Sequence, residues 1–108
     1  MLAIAGGKGG SGKTTTTLGL ARAIDAPTLA VDADAGLPNL HRLAGVPRDL
    51  PPGGRGHPDP GSERAETRIL PAPRDTPDGA GGRLRRLAET EFADGTRPRI
   101  LVDCPAGA

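Results

Sequence analysis

The chain has 108 residues, enough for one domain or part of one, and a domain of this size buries roughly two-thirds of its unfolded surface. Its formal charge of +1 supplies no global field to draw it to nucleic acid or an anionic membrane, and its one cysteine excludes an intrachain disulfide, a C-x-x-C redox pair and a four-cysteine metal site. Gly 17 and Pro 12 would signal disorder if spread evenly, but they gather in loops and leave short apolar segments between them that can pair and pack.

Residues 1–5 form an apolar run that reads as a buried parallel strand. It delivers the chain into Gly6-Gly7-Lys8-Gly9-Gly10-Ser11-Gly12-Lys13-Thr14-Thr15. Gly7, Gly12, Lys13 and Thr14 satisfy G-x-x-x-x-G-K-[ST], the pattern of a loop whose backbone N–H groups face the phosphates of a nucleotide at the start of a helix. Glycine suits the pattern because a side chain would block that approach. In such a loop Lys13 reaches the β- and γ-phosphates, and the Thr14 hydroxyl enters the shell of a Mg²⁺ ion. The chain has only two lysines, Lys8 and Lys13, and both lie in this stretch, where a compact point charge suits phosphate.

From residue 13 to 25 the spacing of Thr17, Leu20, Ala21 and Ile24 predicts one buried helix face, and Pro27 stops the helix. Residues 28–31 read as a second apolar strand running into Asp32-Ala33-Asp34. In an open α/β sheet ligands bind outside the carboxyl ends of the strands, so these acids and the phosphate loop are expected to share one edge. An isolated D-x-D caps a turn as readily, and it is the upstream loop that favours the functional reading.

A short helix is expected over residues 37–45, with Pro38 in its first turn and Gly45 at its C-cap. Residues 46–62 read as a Pro/Gly-rich loop, and its His57 has only His41 for company, a spacing that makes no metal site. Residues 67–70 form a brief strand closed by Pro71 and Pro73. Residues 83–93 have a helical face of Leu84, Leu87, Ala88 and Phe92, while Arg83, Arg85 and Arg86 form a basic cluster without interleaved aromatics. That cluster reads as a solvated helix face. The apolar strand Ile100-Leu101-Val102 ends in Asp103, the pattern of a second acid for Mg²⁺ when a phosphate loop lies upstream.

Three segments together resemble the MinD/ParA family of deviant-Walker ATPases. Lys8-Gly9-Gly10-Ser11-Gly12-Lys13-Thr14-Thr15 is similar to the family's K-G-G-x-G-K-[ST]-[ST], residues 31–40 to its first switch, and residues 102–107 to its second. The resemblance implies an α/β fold, the three-layer P-loop NTPase architecture with a mainly parallel sheet. It also implies that residues 1–108 are a partial nucleotide-binding domain, incomplete after the Walker B or second-switch strand.

By the same resemblance Lys8 reaches across a nucleotide-dependent homodimer to the partner's phosphates, and Lys13 holds the β- and γ-phosphates. Thr14 holds the metal, Thr15 the α-phosphate, Asp34 the attacking water, and Asp32 and Asp103 support Mg²⁺; Gly7, Gly9, Gly10, Ser11 and Gly12 complete the cradle. The cofactors implied are ATP and Mg²⁺. The expected activity is ATP hydrolysis, once the fold is completed, for intracellular positioning or partitioning in the cytoplasm, with a regulatory protein as a further partner. The alternative is a truncated or degenerate nucleotide-binding fragment without turnover.

Overall fold

A computed structural model of the protein describes residues 2–4, 11–33, 38–49, 56–63, 66–72 and 97–104. The expected helix over residues 83–93, with its arginine cluster, lies outside these.

Strand and helix alternate as far as α2, and three strands follow among the described residues: β1 (Leu2–Ile4), α1 (Ser11–Ala23), β2 (Thr28–Asp32), α2 (Leu40–Ala44), β3 (His57–Pro58), β4 (Thr67–Leu70) and β5 (Arg99–Asp103). The sheet order is β1-β5-β2-β4-β3. All neighbours pair in parallel except β3, which runs antiparallel to β4. This is the expected small α/β fold with a mainly parallel sheet. Residues alternate between faces along each strand, and the alternation sorts the core into two clusters. On the helix side Ala30, Ile69 and Leu101 pack with Leu18 and Ala21 of α1 and Leu40 and Ala44 of α2. On the other side Leu29, Val31, Leu70, Ile100 and Val102 form a second cluster. Every residue of β2 is buried, as a central parallel strand requires.

Helix α1 begins two residues earlier than its spacing predicts; of its expected face Thr17 and Ala21 are buried and Ile24 packs against the core, but Leu20 does not. Leu18 is 3% exposed and Leu20 39%. The buried stripe is Thr14, Thr17, Leu18 and Ala21, an i, i+3, i+4, i+7 set that includes two threonines. Threonine fits there because Thr17 Oγ1 donates to the Lys13 carbonyl at 3.1 Å, so its hydroxyl is satisfied inside the helix. Alanine at 21 and 30 keeps α1 and the sheet close at full burial.

Helix α2 is shorter than expected, and Pro38 precedes its Asn39 N-cap instead of occupying its first turn. The Asn39 side chain makes no capping bond; the Leu40 N–H instead donates to Asp32 Oδ2 at 3.3 Å. A residue eight positions upstream therefore satisfies one of the helix's orphan donors. At the other end Gly45 adopts φ 79°, a left-handed turn that glycine accepts without strain, and donates to the carbonyls of His41 and Arg42.

Residues 46–62 are not loop throughout, because His57 and Pro58 pair with Ile69 and Arg68 of β4. Proline is tolerated on such an edge strand, which needs no donor on its outer side. Gly56 stands at φ 100°, and a Cβ there would come within 2.9 Å of the Ile69 carbonyl oxygen. Beyond β3, Asp59 is buried and accepts from Arg22 Nε at 2.9 Å, Arg22 Nη2 at 3.0 Å and the Gly61 N–H at 3.0 Å. This bidentate pair pins the sheet edge to the last turn of α1. Burial pushes the Asp59 carboxyl upward, but Arg22 and the Gly61 N–H together hold it below its ordinary value.

Two expectations follow. Leu18→Ala should cost about 2–4 kcal/mol in urea denaturation and Leu20→Ala less than about 0.5 kcal/mol. Asp59→Asn should cost about 1–2 kcal/mol, between a surface and a buried ion pair. The Asp59 contribution is fully present above the ordinary carboxylate pKa of about 4 and is lost below it, as pH falls through the lower folded-state value. Asp59→Asn should accordingly flatten the acid limb of stability against pH.

Candidate functional site

Parallel register assembles the site. β5 lies between β1 and β2, pairing Ile4 with Asp103 on one side and Asp32 with Asp103 on the other. The C-terminal ends of three strands therefore meet at one edge, where the chain leaving β1 enters the glycine-rich stretch. α1 starts from the same edge, so Lys13, Thr14 and Thr15 lie in its first turn.

The central contact is between Thr14 and Asp103. Thr14 Oγ1 donates to Asp103 Oδ2 at 2.8 Å, with both residues buried and 89 positions apart. Lys13 Nζ lies 3.6 Å from the other carboxylate oxygen, Oδ1, and the two side chains are 9% and 3% exposed. That distance is an ion pair without a hydrogen bond, and among the described residues Asp103 Oδ1 has no hydrogen-bond partner. Asp32, fully buried, accepts the Leu40 N–H.

The Asp103 carboxylate thus meets the Lys13 ammonium without a hydrogen bond from it. A buried carboxylate whose charge is incompletely compensated costs free energy that a cation would relieve. Among the described residues no group of three or more His, Cys, Asp or Glu is placed to hold a metal ion. The donor set fits a cation of the Mg²⁺ type, which takes one or two carboxylates or a hydroxyl and fills its octahedron with water and phosphate oxygens. Thr14, Asp32 and Asp103 could supply that share.

Against this geometry, the family model for the CobQ/CobB/MinD/ParA nucleotide binding domain matches residues 2–101. The chain belongs to this family. It is a nucleotide-binding domain of the P-loop NTPase type. No individual curated protein matches the chain well enough to stand as a relative. Among the described residues no helix is long and apolar enough to cross a membrane.

Of the residues singled out in the sequence, Lys13, Thr14, Asp32 and Asp103 come together at the strand ends, and Thr15 stands exposed beside them. Ser11 and Gly12, expected within the loop, are the first two residues of α1. Gly7, Lys8, Gly9, Gly10 and Asp34 lie outside the described residues, as do residues 105–107 of the second switch. Sequence reasoning missed Arg42. With Thr14, Thr15, Asn39 and Leu43 it lines a cavity of about 340 Å³ between the starts of α1 and α2. The i, i+3, i+4 spacing of Asn39, Arg42 and Leu43 was the available signal.

Thr14→Val should leave a buried carboxylate oxygen without its donor and lower stability by about 1–3 kcal/mol, whereas Thr14→Ser should keep most of it. Paired denaturation curves of the two variants check this.

Proposed function

We propose that this domain binds Mg-ATP and hydrolyses its γ-phosphate in a nucleotide-dependent homodimer, as an intracellular positioning or partitioning ATPase. The observation that carries the reading is the Thr14–Asp103 hydrogen bond with Lys13 alongside. A phosphate-loop hydroxyl and a strand-end acid touching each other is the arrangement from which a shared Mg²⁺ would be held. When bound, the ion would neutralise charge developing on the transferred phosphoryl group.

The chain's own residues would then divide the work. Lys13 would hold the β- and γ-phosphates. Thr14, Asp32 and Asp103 would hold the ion, Thr14 through its hydroxyl oxygen and the two acids as its carboxylate support. Thr15 meets the α-phosphate, and Asp34 orients the attacking water in line. Lys8 reaches the phosphates bound by the partner subunit, where it stabilises transition-state charge in the manner of an arginine finger. Lys8 and Asp34 take these roles from their positions in the family's signature.

Titration calorimetry with Mg-ATP should give saturable binding that Lys13→Ala abolishes and EDTA weakens. Phosphate release should fall by about a thousandfold in Lys8→Ala while binding persists, since trans-acting cations of this kind contribute 10³–10⁵ in turnover. Absent saturable binding, or binding indifferent to Lys13, overturns the reading; binding without phosphate release leaves a nucleotide-binding module.

A further inference from the structure

The cavity between α1 and α2 is walled on one side by Thr14 and Thr15 and on the other by Asn39, Arg42 and Leu43. Among the described residues its lining carries a single formal charge, the positive charge of Arg42. α1 has no acidic residue in its first turn, so the partial positive charge of its N-terminal end is not offset there by a side chain of that turn. The buried acids Asp103 and Asp32 are engaged elsewhere, Asp103 with Thr14 and Lys13, and Asp32 with the Leu40 N–H. Arg42 is exposed, and among the described residues its guanidinium makes no ion pair.

Arg42 is nonetheless firmly placed. Leu40 and Ala44, on the opposite face of α2, are buried at 0% and 4% exposure against α1 and the sheet. The helix is tied at its start to Asp32 and closed at its end by Gly45. The result is a fixed base for a cation beside Thr14 and Thr15, in a cavity whose lining includes no acid among the described residues.

We propose that Arg42, assisted by the Asn39 amide, is an additional ligand for the phosphate chain of the bound nucleotide, holding it from the α2 side while Lys13, Thr14 and Thr15 hold it from α1. This rests on the nucleotide-binding reading of the site. Guanidinium suits the task because its planar fork gives two parallel N–H bonds to one phosphate and keeps its charge at every relevant pH. Since α2 hangs from Asp32, the carboxylate that would support the metal also sets where this second cation stands.

The test is binding of Mg-ATP by wild type, Arg42→Ala, Arg42→Lys and Lys13→Ala, with inorganic pyrophosphate and adenosine as competing ligands. Arg42→Ala should raise the Kd for ATP about tenfold, with Arg42→Lys restoring part of the loss, and should make binding less sensitive to salt. Pyrophosphate should lose a similar factor and adenosine none. The thermal midpoint should not move, because the Arg42 side chain is exposed. Unchanged ATP affinity in Arg42→Ala, with binding still abolished by Lys13→Ala, overturns the Arg42 assignment and leaves the nucleotide site standing. An equal loss for adenosine would also overturn it, by putting Arg42 at the nucleoside. Failure of the wild-type chain to bind Mg-ATP removes both readings.

Discussion

The hydrogen bond from Thr14 to Asp103 is the contact on which the site depends, because it joins the first helix to the last strand across almost the whole chain. Closing so long a loop is entropically expensive, and the cost falls on the fold as a whole. It is met by parallel pairing: β5 inserts between β1 and β2, and once their registers are set Asp103 can only end beside Ile4 and Asp32. The hydroxyl then satisfies one carboxylate oxygen and the lysine partly compensates the other. The arrangement is tolerable for the fold but incomplete as a charge balance. One oxygen of the carboxylate is thereby left with acceptor capacity among the described residues.

Asp32 extends the same economy to the second helix. Its side chain stands where Asn39 might have capped α2 and does that work from the sheet edge instead. A five-residue helix has little stability of its own; here it is held by one carboxylate at the start, Leu40 and Ala44 underneath, and a left-handed glycine at the end. The acid at the centre of the site and the position of α2 are therefore coupled through a single hydrogen bond. Small residues make the coupling tight, since Ala21, Ala30 and Ala44 let two helices and the sheet approach closely.

At the opposite margin, a segment rich in glycine and proline still contributes a strand. Its pairing with β4 is only two residues long, and the Arg22–Asp59 pair holds it in place. An edge strand this short exposes little unpaired backbone, which suits the rim of a sheet.

Much was legible in the residues themselves. Short apolar runs ending in aspartate announced parallel strands with acids at their tips, and the glycine-rich stretch between a strand and a helix announced a phosphate site, because these features are local and set by backbone sterics and period. In α1 the expected face kept Thr17 and Ala21 buried and Ile24 against the core, but Leu20, which has the hydrophobicity of a core residue, is exposed, and Leu18 and Thr14 take the buried side, the Thr14 hydroxyl being satisfied on Asp103. The strand in residues 57–58 was hidden because composition speaks for loop, while pairing with β4 is decided by a partner ten residues away. The chain's order thus determined the described strands apart from β3, the helix α1 and the acids at the strand ends. Only tertiary structure decided that Thr14 meets Asp103, that Asp32 caps α2, and that Arg42 faces the phosphate-loop helix, because each of these is a contact between segments whose sequences carry no record of one another.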